Sequence, residues 1–116
     1  MGSERWALAT ANAFDMLQLK ACAEVAKPEW WNDEGLKALS ARVVRAAPNE
    51  GPASHMRALV LSAETYGTWE AGPRSAAELK EAAVHFERAA ALCPAPAGKA
   101  ELTDSADWCR RQAEAM

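Results

Sequence analysis

Two histidines, three cysteines, a run of carboxylates and five tryptophans are the residues of this 116-residue chain with chemistry to offer. An imidazole works as a general base only with a nucleophile in reach. Neither His55 nor His85 lies near a Gly-x-Ser-x-Gly or His-Glu-x-x-His pattern. His55 falls in the first turn of a helical segment and His85 beside Phe86 on another, so both read as surface or packing residues. Cys22, Cys93 and Cys109 are odd in number and contain no Cys-x-x-Cys pair. That fits neither a disulfide framework nor a structural zinc site. Cys93 precedes Pro94 at a helix end, where the dipole disfavours a thiolate. Glu101, Asp104 and Asp107 share a helix face, but no His completes a metal set and Arg110 and Arg111 follow. A solvated face accounts for them. Glycine is too sparse and irregular for a phosphate loop. The residues therefore point to no catalytic group, no cofactor and no metal.

The tryptophans point elsewhere. Trp30, Trp31 and Trp69 stand in or beside chain breakers, where an indole either plugs the end of a helix stack or serves as a binding anchor. With His55 and Arg57 on the third helix they make up the candidate partner-binding set: Trp69, His55, Arg57, Trp30 and Trp31.

The elements that must position these residues are helical. Alanine, the best helix former, is the commonest residue, and isoleucine is absent. Ser3 can cap a first helix from Glu4 to Lys27, with Trp6, Ala9, Ala13 and Leu17 on one face. Pro28 ends it. Asn32 caps a second helix to about Ala47, with Leu36, Leu39 and Val43 as its stripe. The run Pro48-Asn49-Glu50-Gly51-Pro52 stops that helix. A third covers roughly Ala53 to Tyr66, and the loop Gly67 to Arg74 follows. Ser75 and Glu78 form a capping box for a fourth helix ending at Leu92 or Cys93. A fifth runs from about Lys99 to Ala115, with Leu102, Ala106, Cys109, Ala113 and Met116 in line. The length suits one domain, with helix pairs over about 4–47 and 53–93 and a terminal capping helix over about 99–115.

The fourth helix reads Ala82-x3-Phe86-x2-Ala89-x4-Pro94. This resembles the second helix of a tetratricopeptide repeat: small residues admit the paired helix, the aromatic fills the gap, and the proline turns the chain. Arg42-x5-Pro48 echoes Arg88-x5-Pro94, although Ser40 stands in the aromatic's place. The two prolines are 46 residues apart, against about 34 in the family. An insertion around Gly67 to Arg74 accounts for the excess. The resemblance implies an all-α, right-handed array of stacked antiparallel helix pairs that presents a concave surface to a peptide or partner helix. The alternative is a small helical enzyme or cofactor-binding bundle that uses core Cys or His.

A net charge of −3 argues against nucleic acid. No run of 18 apolar residues offers a membrane span, and the N-terminus lacks the pattern of a secretory signal. Reduced thiols place the expectation in the cytoplasm, or the nucleus, as a monomer or one part of a larger assembly. Trp69 is expected to fold back into the groove between the third and fourth helices, so that its loop shapes one edge of the binding surface. Phe86→Ala is expected to cost about 3–5 kcal/mol in a urea titration. A cost below about 1 kcal/mol would show that the third and fourth helices are not paired around this ring.

Overall fold

The computed structural model describes residues 3–19, 29, 31–63 and 69–116, with the backbone alone for 17–19. Trp30, Cys22 and Pro28 lie outside the described residues. Five helices and no strand make up the fold among them: α1 Glu4–Leu19, α2 Asp33–Ala46, α3 Gly51–Leu61, α4 Ala76–Leu92 and α5 Pro96–Glu114. The radius of gyration is 13.5 Å, close to the value of about 13 Å for a folded chain of about 100 residues. The helices are thus packed compactly against one another.

Local chemistry sets the helix starts. Ser3 Oγ accepts from the Trp6 N–H, and Asn32 Oδ1 accepts from the Gly35 N–H. Ser75 Oγ accepts from the Glu78 N–H, while Glu78 Oε1 accepts from the Ser75 N–H, completing the capping box. α5 starts three residues ahead of the expected Lys99, because Pro96 takes the first helical position. Its fixed φ suits that place and its missing N–H is no loss there.

α3 is the central helix: Ala53, Met56, Ala58, Leu59, Val60 and Leu61 are all buried. α1, α2 and α4 pack around it, and α5 packs on α4 alone at close backbone range among the described residues. Phe86 is buried on the α4 face that meets α3, flanked by Ala82 and Ala89. On α1 the buried line is Ala7, Ala11 and Phe14, while Ala9 and Ala13 are exposed. A methyl group has little area with which to choose a face, whereas a phenyl ring has a great deal. Phe14 therefore turns the helix. Trp6 remains on the rim of the core, with the Arg42 guanidinium 5.1 Å over its ring.

α3 ends at Leu61, short of the expected Tyr66; of that stretch, 64–66 lie outside the described residues. Ala63 takes a left-handed backbone conformation (φ 63°) and stops the helix. The last carbonyls are then taken by an arginine from the following loop. Arg74 Nε donates to Leu61 O (3.0 Å) and Nη2 to Val60 O (2.8 Å). The same guanidinium grips Asp33 bidentately, Nη2 to Oδ1 at 2.6 Å and Nη1 to Oδ2 at 2.9 Å. Nη1 also donates to Gly72 O (3.0 Å). All five N–H donors of Arg74 are thus engaged. Asp33 is equally saturated, accepting in addition from Trp69 Nε1 and from the Gly72 N–H, each at 3.1 Å. Trp69 is 8% exposed. Its ring lies against Trp31 and Phe14, at 5.9 and 6.1 Å between centroids. The indole therefore folds back, but onto α1 and the start of α2, away from the expected α3–α4 groove. An N–H donor in reach of Asp33 and two aromatic faces hold it there.

The Arg74 hydrogen bonds hold the Asp33 carboxyl well below the usual carboxylate range. A group depressed in the folded state adds stability above its unfolded pKa of about 3.9, and loses it as pH falls toward the folded value. Arg74→Ala strips the half-buried Asp33 of its bidentate partner, leaving only the Lys37 cation at 3.9 Å, and uncaps the last carbonyls of α3, so it should cost about 2–4 kcal/mol. Arg74→Lys, with three donors for five acceptors, should recover less than half of that. Urea midpoints at pH 7 and pH 3 check both points: the gap between wild type and Arg74→Ala should narrow in acid. A gap that widens there would contradict the assignment.

Candidate partner-binding cleft

Two tight turns carry the site. Pro48 to Pro52 joins α2 to α3, and Pro94 to Pro96 joins α4 to α5, with both helix starts lacking a side-chain cap. The turns sit side by side and leave an open cleft of about 500 Å³ between them. This volume lies within the range of about 300–1,000 Å³ typical of ligand sites.

Glycines permit the close approach. A Cβ at Gly98 would stand 2.8 Å from Cys93 Sγ, so the first turn of α5 lies against the thiol only because Gly98 has no side chain. Cys93 Sγ in turn donates to Ala95 O (3.6 Å). The apolar wall is Pro52, Ala89, Leu92, Pro94 and Leu102, and Leu92 is 43% exposed. The polar side is Asp15 from α1, Asn49 and Glu50 from the turn, and His55 from α3. No lysine or arginine lines the cleft among the described residues.

Asp15 and His55 are half-buried and close enough to bias each other's titration. Burial raises the Asp15 carboxyl above its ordinary value, and the His55 charge works against that rise. Burial lowers the His55 imidazole, and the Asp15 charge works against that fall. His55 also leans on Phe86, with ring centroids 6.2 Å apart. The aromatic of the α4 motif thus fixes the imidazole that faces the cleft. Perturbed titrating groups in a cleft are a physical marker of a functional site.

The five residues read from the sequence as partner contacts do not form one surface. His55 lines the cleft. Trp31 and Trp69 are interior, and Trp30 lies outside the described residues. Arg57 is engaged within the fold: Nη1 donates to Lys37 O (2.7 Å) and Ser40 Oγ (3.1 Å), and Nε to Glu81 Oε2 (3.1 Å). Ser40, in the place of a motif aromatic, is thereby an anchor for Arg57. His85 is a packing residue, buried beside Glu81, with Nε2 3.3 Å from its carboxylate. Asp15, Glu50, Leu92 and Leu102 carry no sequence pattern that marks them as neighbours.

The acidic face of α5 is solvated: Glu101, Asp104 and Asp107 are exposed, and Asp107 pairs with Arg110 at 3.4 Å. No cluster of His, Cys, Asp and Glu suits a metal ion among the described residues. No disulfide joins the described cysteines, Cys93 and Cys109. No described helix is long and apolar enough to cross a membrane. No protein-family model matches the chain, and neither a curated protein nor a solved structure matches it.

A histidine-resolved NMR titration should place the His55 midpoint below 6.5. Asp15→Asn removes the charge that favours the imidazolium, so the midpoint should fall further. A wild-type midpoint at or above 6.5 would contradict the burial of His55, and a rise in the variant would break the Asp15–His55 pairing.

Proposed function

We propose that the chain is a protein-interaction module of stacked helix pairs, built on tetratricopeptide-like lines, that receives a segment of a partner protein. The cleft is the observation that carries this reading. It is open, with an apolar wall facing a polar side that holds two carboxylates, and it is built by two turns on a well-packed frame. An exposed Leu92 on its wall offers an apolar contact of the kind that interfaces bury. The array reading draws support from the packing order. Each helix meets the next, α1 also approaches α3 as first helices of successive pairs do, and the Ala82–Phe86–Ala89 face meets the neighbouring helix. The lack of a close α3–α5 approach departs from such an array, so α5 is better read as a cap on α4.

A second reading, a small enzyme, has one observation in its favour: a thiol, an imidazole and a carboxyl (Cys93, His55 and Asp15) line the same cleft. Under that reading Cys93→Ala abolishes an activity. Under the interaction reading it leaves partner capture intact.

The interaction reading is tested by quantitative capture from cell extract with three baits: wild type, Leu92→Asp in the cleft, and Val84→Asp on the outer face of α4, where Val84 is 53% exposed. Proteins enriched by wild type and Val84→Asp should fall by about tenfold with Leu92→Asp. Equal capture by all three baits, or equal loss with both variants, would remove the cleft from the account.

A further inference from the structure

The charge in the cleft is one-sided. Asp15 from α1 and Glu50 from the α2–α3 turn both line the opening. Neither pairs with a lysine or arginine among the described residues. Elsewhere in the fold, carboxylates beside an interior surface are matched: Asp33 by Arg74, Glu78 by Lys37 at 2.7 Å, and Glu81 by Arg57. Asp15 and Glu50 differ from these in lining an opening without a cation beside them among the described residues.

Resting on the interaction reading, we propose that the cleft receives a basic side chain of a partner segment, its ammonium or guanidinium between Asp15 and Glu50, with a neighbouring apolar residue seated on Leu92 and Leu102. Three physical points carry this. A cation entering a half-buried site gains hydrogen bonds to ionised acceptors, the strong kind. An anion in the same place would face two carboxylates with no lysine or arginine in the lining to offset them. The volume exceeds what one side chain fills, and the remaining wall is apolar, so a flanking aliphatic residue completes the fit. His55 is biased toward its neutral form by burial and so adds little repulsion near neutral pH. Asp15, with its raised carboxyl, must ionise for the site to be complete. The other titrating group on the lining is the Cys93 thiol at the end of α4; α5 contributes only Leu102.

The test uses three capped pentapeptides that differ at the central residue: Gly-Leu-Arg-Leu-Gly, its citrulline analogue, and its glutamate analogue. Citrulline keeps the shape of arginine and removes the charge. Binding is followed through the NMR signals of His55 and Leu102 in the whole chain. The arginine peptide should bind about tenfold more tightly than the citrulline peptide, and the glutamate peptide most weakly. Asp15→Asn combined with Glu50→Gln should erase the arginine advantage while leaving the thermal midpoint within a few degrees of wild type. Raised salt should weaken the arginine peptide and not the citrulline one.

Equal binding of arginine and citrulline peptides would overturn the proposal, as would an arginine advantage that survives the double variant. No shift of either signal at about 1 mM arginine peptide would overturn it as well. Spermidine binding as tightly as the peptide would transfer the site from a protein segment to a small polyamine, which also overturns it. These failures are separable from failure of the interaction reading, because Leu92-dependent capture of a protein can persist with no preference for a basic residue.

Discussion

The bonding of Arg74 to Asp33 ties the start of α2, the end of α3 and the loop before α4 to one another. One guanidinium with five donors and one carboxylate with four acceptor positions satisfy each other and the backbone around them. Arg74 is only 9% exposed, which would be costly for a charge left unmatched. Taking the pair out of water offsets much of its attraction, so its main contribution is position. It caps the C-terminus of α3, holds the N-terminus of α2 and folds the loop before α4 so that Trp69 covers Phe14 and Trp31. Three helix ends are placed by one side chain.

Much of the helical frame was legible in the sequence because its signals are local. The Asn32 cap, the Ser75–Glu78 box and the proline-rich turns all act within four residues, and each stands where the pattern puts it. The face of α1 was not legible. Its alanines recur at a helical period on more than one face, and only the single large ring of Phe14 decides between them. The Asp33–Arg74 pair was not legible either, since its members are 41 residues apart and each alone resembles an ordinary first-turn acid or loop base. The candidate cleft was the least legible part. Of its polar groups only His55 stood out, and it meets Asp15 and Glu50 through the packing of α1 and α3, with no spacing in the chain to announce it.

Two sets of charges stand out among the described residues. One set is used up inside the fold: Arg57 ties α2 to α4 through Lys37, Ser40 and Glu81, and Lys37 reaches Glu78. Arg110 on α5 binds Glu87 on α4. These contacts fasten neighbouring helices where alanine-rich faces give little apolar area for burial. The other set, Asp15 and Glu50, lines the cleft beside His55. Asp15 and Glu50 are unpaired like the exposed Glu101 and Asp104 on α5, but they line an opening with an apolar wall. The proposed use of that opening follows from this arrangement.

α5 differs from the other helices in its attachment. Among the described helices it meets α4 alone, on the side of Ala106, Cys109 and Ala113, and its first turn rests on the Cys93 thiol beside Gly98. α5 depends on one neighbour among the described residues, so its local opening need break only the seam with α4. Its amide hydrogens should exchange with solvent well before those of α3, in a partial opening that leaves the Arg74 contacts whole. Leu102 travels with α5, so each such opening removes one wall of the cleft. Occupancy of the cleft and protection of the α5 amides are then two readouts of a single equilibrium.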